Sequence, residues 1–343
     1  MRFLRSHTEM KYTRTCIVLG IAFLLSSSLQ AVQAPVLSYV VEQAGNAEIY
    51  CADTTGNIVR RIKTDAPNMS SLSWSPNGRF VAYQSNHEGT PNIYVMDIQN
   101  KNSRRLTNHE GRSLRPAWSP NGKWIAFVSD RAGEYLDVYR MDTDGSNVRR
   151  LTNRDHNWEP DWSPDSQWIA FNATQGRRTA LYIMTADGKG RRQLKAGVST
   201  SAGCTWSPNG KQIAFATGNE FKVGVNIYVI DIDGNNLRKL TRVGGMSLAT
   251  HPAWSPDGEW IAYSLKKIVN VPPPGVRIPI AEFFGKCTLY IVKAKGNAGE
   301  PREIVNGLPL QPMPTWLPGT AFSVSPSTEK QITRWGKLKQ GKK

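Results

Sequence analysis

The sequence predicts an all-β fold: a six-bladed β-propeller of four-stranded antiparallel blades over residues 35–326, its last blade closed by N- and C-terminal strands. Three observations predict it. A Trp-Ser-Pro-Asn/Asp-Gly phrase recurs along the chain. Its tryptophans fall at 74, 118, 162, 206, 254 and 316, so the intervals are 44, 44, 44, 48 and 62, a strict period followed by drift. Between copies the chain holds four short strand-like runs separated by turn residues, with no room for a helix.

The N-terminus comes first. Arg2, Arg5, Lys11 and Arg14 precede an apolar run from Cys16 to Leu25, followed by three serines and Leu29-Gln-Ala31-Val-Gln-Ala34. A basic region, a short apolar region and small residues at the end make a secretory signal peptide over residues 1–34, cleaved after Ala31 or Ala34. The apolar run is too short to span a bilayer comfortably, so no transmembrane segment is expected in the mature chain. Next come Leu37-Ser-Tyr-Val-Val, Ala47-Glu-Ile-Tyr-Cys and Asn57-Ile-Val-Arg-Arg-Ile62, which read as a blade that has lost its Trp-Ser-Pro strand. The worn copy at Trp316-Leu-Pro-Gly supplies the missing strand, and joining the two removes the exposed edges.

Each full repeat has a physical reading. In residues 114–152 the runs Leu-Arg-Pro-Ala-Trp, Lys-Trp-Ile-Ala-Phe-Val-Ser, Leu-Asp-Val-Tyr-Arg-Met and Val-Arg-Arg-Leu-Thr are divided by Ser-Pro-Asn-Gly and Thr-Asp-Gly-Ser-Asn. Ser at the first corner, Pro presetting φ at the second and Gly at the fourth suit a type I turn. Trp74, Trp118, Trp162, Trp206, Trp254 and Trp316 end the innermost strands, where a large ring wedges between neighbouring blades. The third copy has Ser166 in place of glycine, so that turn should be strained or of another type. The fifth is enlarged by an apolar, proline-rich segment from Lys266 to Phe284, read as a lid, a docking element or a cover for the blade's own core. Residues 327–343 form a basic tail.

Charge and cysteine content narrow the partners. The chain has 43 Lys and Arg against 27 Asp and Glu; removing four and one with residues 1–34 leaves 39 − 26 = +13. Such a balance favours acidic partners, and export argues against nucleic acid. Cys51, Cys204 and Cys287 are too few for a disulfide framework and read as buried fillers.

The pairing of Trp-Ser-Pro-Asp/Asn-Gly-x-x-Ile-Ala-Phe with Ile-Tyr-Val-Met-Asp-x-Asp-Gly-x-Asn-x-Arg-Arg-Leu-Thr resembles the WD40-like repeat of bacterial TolB-type propellers, over roughly residues 37–326. The resemblance implies a propeller of the cell envelope, periplasmic or secreted. The family includes a component of the Tol–Pal system whose propeller binds a peptidoglycan-associated lipoprotein. It also includes propellers fused to peptidases. The founding member carries an α/β domain ahead of its propeller, whereas here some 36 residues that read as strands separate the cleavage region from the first repeat.

In propellers of this kind, the loops entering the innermost strand share a face with the loops between strands two and three. Three candidate features fall there. Residues three positions before each repeated tryptophan are Ser71, Arg115, Glu159, Gly203, His251 and Met313; they should ring the channel mouth, with Arg115, Glu159 and His251 placing three polar groups around one opening. His109, His156 and Trp158 lie in the preceding loops, a combination suited to a sugar or a peptide. Phe283 and Phe284 end the insertion. No catalytic residue, cofactor or metal is expected. Gly-x-Ser-x-Gly is absent, no histidines stand at zinc-motif spacing, and the two Asp-x-Asp-Gly turns lack the acidic residue that completes a calcium loop. The expected function is a non-catalytic protein-interaction module of the envelope, with a peptidoglycan-associated lipoprotein-like partner. The alternative is a polysaccharide-binding propeller or metal-dependent sugar lyase acting on acidic glycans.

Overall fold

A computed structural model describes residues 34–43, 46–176, 178–194, 200–219, 224–270, 284–295, 299–308 and 312–319. The expected signal peptide (but for Ala34), basic tail and Phe283 lie outside them. The described residues contain strands and turns and no helix. Unit one is β4 (Ser70–Trp74), β5 (Phe80–Ser85), β6 (Asn92–Asp97) and β7 (Ser103–Arg105). Unit two is β8 (Ser113–Trp118), β9 (Trp124–Ser129), β10 (Asp137–Asp142) and β11 (Arg149–Arg150). Unit three is β12 (His156–Trp162), β13 (Trp168–Gln175), β14 (Arg178–Thr185) and β15 (Arg192–Gln193). Each is a four-stranded antiparallel sheet in sequence order.

Units four and five share one sheet. Unit four comprises β16 (Thr200–Trp206), β17 (Gln212–Asn219), β18 (Gly224–Asp231) and β19 (Arg238–Lys239). Unit five comprises β20 (Ser247–Trp254), β21 (Trp260–Lys267), β22 (Cys287–Lys293) and β23 (Arg302–Leu308). A single parallel contact, Val225 with Leu248, joins them. The remaining sheet takes strands from both ends of the chain: β24 (Thr315–Trp316) pairs with β1 (Leu37–Gln43), followed by β2 (Asn46–Ala52) and β3 (Ile58–Lys63).

The apolar core lies in layers between successive sheets. Ala117, Val128 and Val138 of unit two cluster with Trp162, Phe171 and Met184 of unit three. Leu289 and Ile291 of unit five cluster in the same way with Leu37, Tyr39 and Trp316 of the terminal sheet. The repeated tryptophans occupy these layers: Trp74, Trp162, Trp206, Trp254 and Trp316 are at most 8% exposed. The Trp162 indole N–H donates to the Ala117 carbonyl of the preceding unit at 3.0 Å, and Trp316 donates to Ala253 O at 2.8 Å. Removing the ring opens a cavity between two sheets and orphans that carbonyl, so Trp162→Ala should cost about 4 kcal/mol in urea unfolding. A loss below about 1 kcal/mol would contradict the wedge role.

Each of the five units and the terminal sheet also carries a stacked aromatic pair across its two central strands: Tyr39–Tyr50, Tyr83–Tyr94, Phe127–Tyr139, Phe171–Tyr182, Phe215–Tyr228 and Tyr263–Tyr290, with centroids 5.5–6.2 Å apart. These residues are direct cross-strand partners, where ring pairs contribute most to sheet stability. The repeated Thr that ends the Leu-Thr motif has a local task. The hydroxyls of Thr107, Thr152 and Thr241 accept from the N–H of Ile93, Val138 and Ile227 and bond the side chain one residue earlier, Asn92, Asp137 or Asn226.

The Ser-Pro-Asn/Asp-Gly turns have the chemistry their residues call for. Gly78, Gly122, Gly210 and Gly258 are left-handed, with φ of 66°, 74°, 70° and 71°, and Gly78 N–H donates to Ser75 O at 2.8 Å. Ser166 keeps the same turn at φ 59°, with its N–H on Ser163 O at 2.8 Å. The turn is thus of the same type and carries the strain of a left-handed non-glycine residue. The serine has its own use, because its Oγ accepts the Asn121 N–H of the neighbouring turn at 3.0 Å.

Candidate functional site

Antiparallel order puts the Ser-Pro turns on one face and the connections between units, with the β9–β10 type of loop, on the other. On that second face the innermost strands of units one to five make the same detour. Register shifts fall between Ser70 and Ser73, Leu114 and Ala117, Trp158 and Asp161, Thr200 and Cys204, and Thr250 and Ala253. Inside each bulge sits one left-handed residue: Ser71 (φ 52°), Arg115 (56°), Glu159 (49°), Gly203 (75°) and His251 (52°). A bulge re-aims the side chain it carries, and here five successive units repeat the same re-aiming.

These residues meet. Glu159 Oε1 lies 3.5 Å from Arg115 Nη2 and 3.1 Å from His251 Nε2, and Glu159 Oε2 accepts the Gly203 N–H. Arg115 also contacts the Met313 sulfur and lies 3.4 Å from Ser71 Oγ, which itself is 3.2 Å from that sulfur. Its backbone N–H is held by Gln84 Oε1 at 2.9 Å. All six positions three residues before the repeated tryptophans therefore join one contact network. The side chains of Arg115, Glu159 and His251 are 27%, 14% and 11% exposed, so the network is largely desolvated.

Burial alone would raise the Glu159 carboxyl, but His251, the Arg115 guanidinium and the Gly203 N–H outweigh it and hold the pKa at about 2. Two residues on, Asp161 behaves oppositely: burial dominates and pushes it up to about 6, although it accepts the Trp206 N–H at 2.8 Å. In unit one the same link, to the Trp118 N–H, is made by the neutral Ser73 Oγ. A carboxyl whose folded pKa is raised contributes most when protonated, and that contribution is lost as pH rises from about 4 to about 6. Asp161→Asn keeps an acceptor without the charge. It should be more stable than the parent at about pH 8, with the gap closing below about pH 4. Equal gaps at both pH values, read by thermal melting, would contradict this assignment.

The other expected residues have contacts of their own. His109 is exposed, accepts the Gly111 N–H at 3.0 Å, and lines an open cleft of about 510 Å3 with Glu88, Asn92, Arg105 and Glu110. His156 and Trp158 form a ring cluster, centroids 3.9 Å apart, that Tyr135 extends from the β9–β10 loop. Phe284 is half-buried at the base of the insertion, bridged to Ile268, with Lys266 Nζ 4.9 Å from its ring. Among the described residues no three His, Cys, Asp or Glu side chains are grouped to hold a metal. Cys51, Cys204 and Cys287 are free and buried.

Three residues of this face were not singled out by sequence. Asp161 stands where other units have Ser73, Ala117, Thr205 and Ala253, a substitution visible once the repeats are aligned. Tyr135 is the aromatic residue of a connecting loop. Asn172, cross-strand partner of Trp158, interrupts an apolar strand.

A family model for the TolB beta propeller domain matches residues 31–198 and 160–267. Dipeptidyl-peptidase 5 of Porphyromonas endodontalis is 33% identical over 88 residues, 25% of this chain and 12% of that protein. The crystal structure of TolB from Acinetobacter baumannii superposes with a TM-score of 0.62 and 21% identity over 82% of this chain and 66% of that one. Putative TolB from Agrobacterium tumefaciens gives 0.59 and 15%, over 80% and 89%. At these identities the likeness to the solved structures is one of fold. The chain thus spans just under two thirds of the Acinetobacter protein and a small part of the peptidase.

Proposed function

Because the chain belongs to the TolB β-propeller family, we propose that it is an exported, non-catalytic six-bladed propeller that serves as a protein-interaction module of the cell envelope. In this reading the ring is closed by β24 joining β1. Support comes from the apolar layer between unit five and the terminal sheet, and from Gly56, where an added Cβ would lie 2.6 Å from Ile304 O of unit five. The same spacing recurs between Gly145 of unit two and Leu106 O, just past β7 of unit one, at 2.8 Å.

The observation that carries the binding reading is the Arg115–Glu159–His251 network. Its carboxylate is engaged by three partners and stays ionised down to about pH 2, so it has no proton to give or take near neutrality. What it supplies is a fixed, preorganised pattern of charge at the mouth of the loop face, which suits recognition. The +13 balance of the mature chain favours an acidic partner surface, such as an envelope protein of the peptidoglycan-associated lipoprotein kind.

The test is capture from envelope extract by the mature protein and by a form shortened across residues 267–284, read by mass spectrometry. An envelope protein retained by the intact form and lost from the shortened one is the expected result. Retention of no protein by the intact form would overturn the reading.

A further inference from the structure

The aromatic cluster on the loop face has a composition that protein docking does not require. Tyr135 and Trp158 are 59% and 38% exposed, two of the few large apolar residues left in solvent among the described residues. They flank His156, whose ring lies edge-on to both, with centroids 6.0 Å from Tyr135 and 3.9 Å from Trp158. We propose that Tyr135, His156 and Trp158 form a stacking platform for a pyranose ring of a glycan chain, a site separate from the charged ring at the channel mouth.

Four features support a sugar as the occupant. First, the rings are held in place. Trp158 Nε1 donates to Thr174 Oγ1 at 3.3 Å, which pins the indole by its polar edge and leaves apolar surface free for the C–H face of a sugar. Second, a hydroxyl-binding group is preset. His156 Nδ1 accepts the Leu136 N–H at 3.1 Å, so the neutral ring carries its proton on Nε2, available as a donor. Burial first, and then the Arg112 charge, lower the His156 pKa and keep that ring neutral. Third, Arg112, half exposed and held by Asp130 at 2.7 Å, adds charged donors nearby, a usual complement to stacking in sugar recognition. Fourth, Trp158 has a buried polar residue as its cross-strand partner. Asn172, which shares a sheet face with its cross-strand partner Trp158, is 2% exposed, and neither its amide nitrogen nor its oxygen has a hydrogen-bond partner. A buried amide with no partner is where a bound water or a ligand hydroxyl belongs.

The proposal does not depend on the protein-interaction reading, and its test separates the two. Chitohexaose and cellohexaose are titrated into the mature protein, followed by tryptophan fluorescence and calorimetry. The expected result is binding of at least one of them with Kd near or below about 1 mM. Tyr135→Ala and Trp158→Ala should each weaken it at least tenfold, and Tyr135→Phe should restore it. Tyr135 lies in an exposed loop, so its variants remain informative if Trp158→Ala proves unstable. Binding by neither sugar, or equal binding by parent and both alanine variants, would overturn the platform. If neither sugar binds and Tyr135→Ala abolishes capture of an envelope protein, the cluster belongs to the protein interface. Intact capture alongside absent sugar binding would sink the platform alone.

Discussion

Glu159→Ala is expected to cost about 3 kcal/mol of folding stability at neutral pH, the typical effect of breaking a buried charge pair from one side. The carboxylate is the hub of the Arg115–Glu159–His251 network, and its removal leaves Arg115 and His251 desolvated with their shared partner gone. The loss should be specific to ionisation. Glu159 has its folded pKa depressed from 4.5 to about 2, so its contribution is fully present above the unfolded value and disappears as pH falls through the folded one. Urea unfolding at about pH 7 should therefore separate parent from variant, while the gap narrows toward about pH 2. A double-mutant cycle with Arg115→Ala should return a coupling above about 1 kcal/mol. A loss under about 1 kcal/mol at neutral pH would mean that the charges are solvated and the network is not a fixed element.

Gly203→Ala is expected to destabilise by a comparable amount, about 3 kcal/mol, for a reason of space more than of backbone preference. Left-handed φ by itself is tolerated in this ring, since Ser71, Arg115, Glu159 and His251 all adopt it as non-glycine residues. What sets Gly203 apart is its neighbour. A Cβ there would lie 2.9 Å from both His251 Cα and Pro252 Cδ, so β16 and β20 must separate to admit it. That separation also pulls the Gly203 N–H away from Glu159. Adding Pro252→Ala should recover part of the loss by removing one of the two close atoms. Gly203→Ala melting within about 1 °C of the parent would show that the two strands are not in contact at this level.

Much of this is legible in the sequence. The 44-residue interval and the Trp-Ser-Pro phrase specify strands and turns, because Pro and Gly are placed where a turn needs a preset φ and a left-handed corner. Counting three residues back from each tryptophan picked out Arg115, Glu159 and His251, and the strict period is what makes such counting work. The mechanism behind the convergence was not legible. Nothing in the identity of Arg115 or Glu159 signals a left-handed bulge, since neither is a residue that prefers that region. The burial of Asp161 depends on packing against the next unit, which no local pattern encodes. Ser166 stands out in sequence as a misfit in its turn, but its bond to Asn121 N–H spans 45 positions and depends on the fold. His109 and His156 read alike in sequence. They separate in space because one follows the end of β7 into an open cleft and the other begins β12 beside an exposed tyrosine.

The central claim is that the loop face, with its charged mouth, is where an envelope protein binds. The direct measurement is photo-crosslinking in living cells from two exposed positions, Asn153 on the loop face and Asn209 in a Ser-Pro turn on the opposite face. The account predicts a discrete adduct with an envelope protein from position 153 and none from position 209. No adduct from position 153, or the same adduct from both, would contradict it.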